Sequence, residues 1–266
     1  MAEQRLDTAL VARALARSRS HAAGLIADGL VTVDGRPMVK ASTKVREEQA
    51  IVVDGADHYV SRAARKLIAA LDAFDVTVEG VEALDVGAST GGFSQVLLER
   101  GASQVVAVDV GHGQFSPLLR SDERLVVVEG FNVRYMTPGA LAAISGVGKR
   151  PALVVGDLSF ISLTTVLPAL VETATEGADF VLLVKPQFEV GRGGIREGVV
   201  HDPALRSEAV ANVLWAGFDL GIGTAGAISS PIAGGAGNHE YLVWMSAERG
   251  ANPTEWLNRV SVMTGA

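Results

Sequence analysis

The stretch Val81-Glu82-Ala83-Leu84-Asp85-Val86-Gly87-Ala88-Ser89-Thr90-Gly91-Gly92-Phe93 limits the possible folds more than any other part of the chain. Val81 to Val86 has the length and apolar content of a short buried strand. The glycines after it permit a tight turn, with φ values that residues carrying a Cβ resist. Phe93, Val96 and Leu97 are then spaced as one face of a helix, with Ser89 or Thr90 as its cap. Strand, glycine turn and helix in this order aim backbone N–H groups and a helix N-terminus at whatever lies over the turn.

Gln104-Val105-Val106-Ala107-Val108-Asp109 reads as the next strand and ends in a carboxylate. An acid there, about 20 residues past the turn, is placed to accept hydrogen bonds from ribose hydroxyls. Gly87, Gly91 and Gly92 do not have the G-x-G-x-x-G spacing of a dinucleotide site, which favours an adenosyl ligand without a pyrophosphate. A glycine turn with a purely structural duty is the competing reading. Asp85-Val86-Gly87-Ala88 with Asp109 downstream resembles the S-adenosylmethionine site of class I methyltransferases. That resemblance implies that Asp85 and the turn (Gly87, Ala88, Ser89, Thr90, Gly91, Gly92, Phe93) hold the methionine end. It places the ribose at Asp109 and the adenine near Asn132, with Asp157 also beside the cofactor.

Arg124–Glu129, Pro151–Phe160 and Asp179–Pro186 read as three further apolar strands separated by helices, the second ending in a carboxylate and the third in a lysine. Such strands indicate a parallel sheet covered on both faces, with ligands beyond the C-terminal strand ends. Asp85, Asp109, Asp157 and Lys185 all fall at those ends. Gln187 to Val200 reads as a mobile loop near the site, Ala225–Ser229 as a weak strand and Glu240–Met245 as the last strand. A C-terminal helix carries Trp256, Leu257 and Val260 inward. These seven strands match an α/β class I (Rossmann-like) methyltransferase domain whose last strand runs antiparallel.

At the start of this domain, Ser61–Leu71 reads as an amphipathic helix with Leu67, Ala70, Leu71 and Phe74 inward, and Arg62, Arg65 and Lys66 near its start. Lys66, Asp157, Lys185 and Glu240 stand out by position: a helix start, two strand ends and the start of the antiparallel strand. If they converge they place two bases and two acids around one cavity. A salt bridge stapling two strands is the structural alternative for Asp157 with Lys185.

Net charge matters here because it is uneven. Met1 to Arg46 carries eight Lys/Arg against four acids, whereas the remainder carries 15 against 26. A basic front end on an acidic body suits a polyanion partner. Two helices followed by short strands, with an Asp34-Gly35 turn, fill this front end. The run Arg5-Leu6-Asp7, Arg17-Ser18-Arg19, Ala22, Leu25-Ile26, Gly29 and Val31–Gly35 resembles the S4 RNA-binding domain. The resemblance implies that Arg5, Arg17, Arg19, Lys40 and Lys44 face a structured RNA, joined by Arg62, Arg65 and Arg134 on the second domain. The expected division is residues 1–56 (S4-like, α+β), 57–60 (a connector holding a preferred orientation) and 61–266 (methyltransferase). With no cysteines and no ligand spacing among five histidines, no metal site is expected. No signal segment or membrane-length apolar run is read, so a cytoplasmic monomer is the expectation.

Lys66, the Gly87–Phe93 turn, Asp157-Leu158-Ser159-Phe160, Val184-Lys185-Pro186-Gln187-Phe188-Glu189 and Asn238-His239-Glu240-Tyr241 together resemble the FtsJ-like ribose 2′-O-methyltransferases. That family carries a Lys-Asp-Lys-Glu tetrad in this chain order. With the S4-like front end, almost the whole chain resembles methyltransferases acting on cytidine riboses in 23S and 16S rRNA within ribosomal subunits. The resemblance implies that Lys185 stabilises the developing oxyanion, that Asp157 orients Lys185 and the hydroxyl, and that Lys66 and Glu240 complete the charge network. No metal is required. A membrane-active haemolysin is the first rival; no spanning segment or strongly amphipathic cationic helix supports it. A non-catalytic RNA-binding assembly protein is the second, and the intact tetrad argues against it.

Overall fold

The computed structural model describes residues 3–16, 18–27, 29–53 and 58–266. The chain divides into two units, Met1–Tyr59 and Val60–Ala266. Arg17 and Asp57, named above as an RNA contact and as the start of the connector, lie outside the described residues.

The first unit contains β1 (Gln4–Arg5), α1 (Leu6–Ala12), α2 (Arg19–Ala27), β2 (Val31–Val33), β3 (Arg36–Met38), β4 (Lys44–Val45) and β5 (Ile51–Val53). Arg5 belongs to a strand, paired with Lys44, and α1 begins directly after it at Leu6. β2 pairs antiparallel with both β3 and β5. Asp34 (φ 51°) and Gly35 (φ 74°) form the tight β2–β3 turn, since two consecutive left-handed residues match the twist of the strands they join. Leu6, Leu10, Ala22, Ile26, Val31 and Val45 close a small core between helices and strands.

The second unit contains α3 (Ala64–Ala73), β6 (Glu82–Val86), α4 (Gly92–Glu99), β7 (Gln104–Asp109), β8 (Leu125–Glu129), α5 (Pro138–Ser145), β9 (Leu153–Gly156) and α6 (Leu163–Thr173). It continues with β10 (Asp179–Val184), α7 (Pro186–Glu189), α8 (Pro203–Asp219), β11 (Gly223–Ser229), β12 (Tyr241–Ser246) and α9 (Leu257–Thr264). One seven-stranded sheet runs β11-β12-β10-β9-β6-β7-β8. β8, β7, β6, β9 and β10 are mutually parallel, and β12 is antiparallel to both its neighbours. Leu84, Val106, Val154, Leu182 and Val243 are buried in a core shared with Leu167 and Leu170 of α6 and Val213 of α8. Residues this apolar are stable as strands because helices exclude water from both faces.

The strand order reverses beside β6, whose neighbours β7 and β9 lead away in opposite directions. A crevice opens at such a reversal, outside the carboxyl ends of the strands. Two local expectations are corrected. Leu257 is outward-facing at 37% exposure, because a 3₁₀ turn over Pro253–Glu255 delays α9 and rotates its register; Val260 remains fully buried. The strand expected to be weak is the seven-residue β11, paired along its length with β12.

Candidate active site

The glycine turn is built by close approach as much as by backbone freedom. Gly87 has φ +79°, and a Cβ there would sit 2.9 Å from the Asp157 carbonyl oxygen. A Cβ at Gly91 (φ +95°) would sit 2.7 Å from the Phe115 ring, and one at Gly92 2.9 Å from Ser61. Gly91, in the left-handed conformation, is the N-cap of α4, and no side chain caps it; the expected Ser89 or Thr90 cap is not formed. At the start of α4, both the hydroxyl and the backbone N–H of Ser94 turn to the Asp85 carboxyl.

A cavity of about 470 Å³ lies over this turn, bounded by Gly87, Ser89, Asp109, Asn132, Leu158 and Phe160 among others. Asp109 is oriented by the backbone: Ser89 N–H donates to Oδ2 at 2.8 Å and Gly111 N–H to Oδ1 at 2.7 Å. Each oxygen keeps a further lone pair, which suits a vicinal pair of hydroxyls. Asn132 Oδ1 accepts from Arg134 N–H at 3.0 Å, leaving its amide nitrogen for a ligand. Gln114 also borders this space and has no counterpart among the expected site residues. The mixed apolar and hydroxyl-accepting walls fit an adenosyl group.

Asp85 is not among the lining residues. It is 1% exposed, accepts from Ser94 Oγ of α4 at 2.6 Å, and its other oxygen has no partner. Burial pushes its carboxyl up to about 7. The folded chain thus keeps a proton that the unfolded chain releases near pH 4, so stability falls as pH rises from there toward 7. Asp85→Asn removes that slope. In urea unfolding at pH 5 and pH 8, the wild type is expected to lose about 2–4 kcal/mol relative to the variant between the two. Parallel curves for the two proteins would mean an ordinary ionised carboxylate.

Beside the turn, α3, β9, β10 and β12 deliver four charged side chains to one point. Lys66 Nζ donates to Glu240 Oε2 at 2.7 Å and to Asp157 Oδ2 at 3.3 Å. Lys185 Nζ lies 2.6 Å from Asp157 Oδ1, an ion pair not aligned as a hydrogen bond, and donates to Ser159 Oγ at 2.8 Å. Side-chain exposures are 8% for Lys66, 15% for Asp157, 10% for Lys185 and 2% for Glu240. Burial alone would raise the Asp157 carboxyl; the charges of Lys66 and Lys185, with the Lys66 hydrogen bond, outweigh it and hold it below the ordinary value. Gly234 leaves room for Glu240, since a Cβ there would overlap its Oε1. A cavity of about 250 Å³ opens onto this cluster and onto the glycine turn, and Arg62 lies on its wall.

A third cavity, of about 390 Å³, adjoins Lys185 and Glu240 on the other side. Its edge is a pair of aromatic rings, Phe160 and Phe188, with centroids 5.2 Å apart and planes tilted by 51°. Phe160 is 91% exposed and has φ +64°, a conformation phenylalanine rarely takes. The segment is anchored beyond it: Glu189 accepts from Ser162 Oγ at 2.5 Å and from Leu163 N–H at 2.8 Å. Asn238 ties down the loop before α8, donating to Gly198 O at 2.8 Å and accepting from Val200 N–H at 3.2 Å. The Gln187–Val200 stretch includes the end of α7 and a 3₁₀ turn, and is tied by Asn238 at Gly198 and Val200.

Of the expected RNA contacts, Lys40, Lys44 and Arg134 are exposed, while Arg62 and Arg65 are half-buried. Arg5 and Arg19 are exposed but not unpaired: both grip the buried Asp7, at 3.0 and 3.1 Å. The two guanidinium groups hold the Asp7 carboxyl far below the usual carboxylate range, chiefly through the Arg5 hydrogen bonds. Among the described residues, no group of three or more His, Asp or Glu is placed to hold a metal ion, and no helix is long and apolar enough to cross a membrane.

The FtsJ-like methyltransferase family model matches residues 59–247, and the S4 domain model matches residues 4–51. The 16S/23S rRNA (cytidine-2′-O)-methyltransferase TlyA of Mycobacterium tuberculosis is 51% identical over 247 residues, covering 92% of this chain and 90% of that protein. The 23S rRNA (cytidine-2′-O)-methyltransferase TlyA of Campylobacter jejuni is 31% identical over 254 residues, covering 88% and 96%. A solved structure from Streptococcus thermophilus, described as a hemolysin, aligns with a TM-score of 0.77 at 35% identity, covering 100% of this chain and 96% of that one.

Proposed function

The chain belongs to the FtsJ-like methyltransferase family, and on that premise we propose that it methylates cytidine ribose 2′-hydroxyls in ribosomal RNA, using S-adenosylmethionine. The observation that carries this reading is the buried chain Glu240–Lys66–Asp157–Lys185 at the meeting point of three cavities. The rRNA substrates of the relatives and the S4-like unit support the choice of RNA.

The cofactor supplies an electrophilic methyl group when bound. Asp109, the Gly87–Ser89 backbone and Asn132 hold it in the larger cavity. A ribose hydroxyl is a weak nucleophile at neutral pH. Lys185, partly relieved of its hydration, stabilises negative charge as it develops on the attacking oxygen. Asp157 holds the Lys185 ammonium and orients the hydroxyl, whose proton passes to the Asp157 carboxylate as the oxygen is alkylated. Lys66 and Glu240 hold Asp157 in place and keep the cluster neutral. With an activated methyl, much of the remaining acceleration is alignment of hydroxyl and methyl.

The target nucleotide must leave its stack to reach a site this enclosed. The exposed Phe160 with Phe188 offers a face on which a base can stack, an interaction of about 1–3 kcal/mol. Phe160→Ala is therefore expected to lower kcat/KM for ribosomal subunits by roughly 10–100-fold. Cofactor affinity, measured by calorimetry, should be retained.

The primary test is transfer of labelled methyl from S-adenosylmethionine to unmodified 30S and 50S subunits, with mapping of ribose methylation. Label on a cytidine 2′-oxygen supports the reading, and the subunit pattern distinguishes single from dual specificity. Absence of label on both, with cofactor binding intact, would favour a non-catalytic role in assembly.

A further inference from the structure

We propose that Ser159 is a positioning residue for methyl transfer: it fixes the Lys185 ammonium without neutralising it. The inference rests on the ribose-methylation reading above and assigns a role to a side chain outside the charged tetrad.

The two lysines are held differently. Lys66 sits between two carboxylates, at 2.7 Å from Glu240 and 3.3 Å from Asp157. Its charge is compensated from both sides. Lys185 shares only Asp157, through a contact poorly aligned for a hydrogen bond, and its aligned partner is the neutral Ser159 hydroxyl at 2.8 Å. Lys185 therefore keeps more of its positive potential, which is what a developing oxyanion requires. An ammonium has three donors and rotates freely unless directed. The Ser159 hydroxyl fixes one N–H and the Asp157 carboxylate holds the charge at 2.6 Å, which restricts rotation and leaves the remaining N–H groups for an attacking oxygen.

The location is consistent with this duty. Ser159 borders all three cavities: the cofactor cavity, the cavity over the charged cluster and the cavity edged by Phe160 and Phe188. Its segment is fixed at both ends, by Asp157 N–H donating to Val86 O at 3.1 Å and by the Glu189 clamp on Ser162 and Leu163. With its oxygen accepting from Lys185, its own proton must point elsewhere, so it does not compete with the attacking hydroxyl for the lysine.

Three variants test the role: Ser159→Ala, which removes the acceptor; Ser159→Thr, which keeps it; and Ser159→Asp, which keeps an acceptor but adds a negative charge. Single-turnover methyl transfer is measured at saturating S-adenosylmethionine and saturating subunits, with cofactor affinity measured separately. Alanine is expected to lower the rate about 10–100-fold and threonine less than about threefold, with cofactor affinity unchanged in both. Aspartate, by neutralising Lys185, is expected to lose at least as much as alanine. A wild-type rate for Ser159→Ala, equal losses for Ala and Thr, or a cofactor affinity that falls in step with the rate would each overturn the proposal. An active wild type with an active Ser159→Ala rejects this role alone. A wild type that transfers no methyl to either subunit rejects the underlying reading, and this assignment with it.

Discussion

Lys185→Ala is expected to lower methyl transfer by roughly 10²–10³-fold, the cost of losing one preorganised donor to a developing oxyanion, while S-adenosylmethionine still binds. The separation follows from where the side chain lies. Lys185 borders the cavity over the charged cluster and the cavity edged by Phe160, but not the cofactor cavity. The fold should tolerate the change, because Asp157 keeps Lys66 at 3.3 Å. Single-turnover kinetics and calorimetry on the same preparation check both halves. Equal loss of transfer and cofactor affinity would identify Lys185 as a strand-stapling residue, the structural alternative raised by its sequence position.

Lys66→Met should act on stability as well as on catalysis. It removes the only counter-charge within reach of Glu240 that the described residues provide, and it leaves a carboxylate 2% exposed without a partner. Removing one member of a buried pair costs about 3–5 kcal/mol, because the other charge stays desolvated. For a domain of this size that is roughly a 10 °C fall in Tm. The sign with pH is also fixed. In the wild type, Asp157 has a depressed folded value, so its contribution is complete above about pH 4, the unfolded carboxylate range, and is lost as acid takes the pH through the lower folded value. In the variant, burial without Lys66 favours neutral acids, so protonation relieves the defect. The stability difference should therefore be largest near pH 7–8 and narrow toward about pH 4. A constant gap across that range would mean that Lys66 contributes packing by its methylenes alone.

Much of this architecture is legible in the sequence, because it is written in short periodic stretches. Val81–Val86 and Asp179–Val184 are short runs with apolar interiors, the first bounded by glycines, which reads as buried strand, and Gly87 is required by the close approach of Asp157. The tetrad is legible only in part. Strand ends place Asp157, Lys185 and Glu240 at one edge, but the pairing of Lys66 with Glu240, 174 residues apart, depends on the strand order. Asp85 shows the opposite failure. It stands at the expected strand end, yet its side chain turns toward α4, two residues before the cavity wall begins at Gly87. The short α5 is capped by Thr137 and carries little amphipathic pattern, so no periodic signal marks it. Ser159 and Phe160 are also hidden. A serine and an exposed aromatic in a loop have no periodicity, and only the strained backbone and neighbouring cavities give them meaning. Asp7 is missed because an acid between arginines reads as surface, whereas here it is the buried anchor that orients Arg5 and Arg19.

The five residues Asp157 to Ile161 border the cofactor cavity, and members of the same segment border both other cavities. On the proposed reading, one short piece of backbone is a party to both the cofactor and the RNA equilibrium. Any ordering that the first ligand imposes on it is not required again of the second, so each ligand lowers the entropic cost of the other. Thermodynamic linkage makes that assistance symmetrical: the factor by which cofactor tightens RNA is the factor by which RNA tightens cofactor.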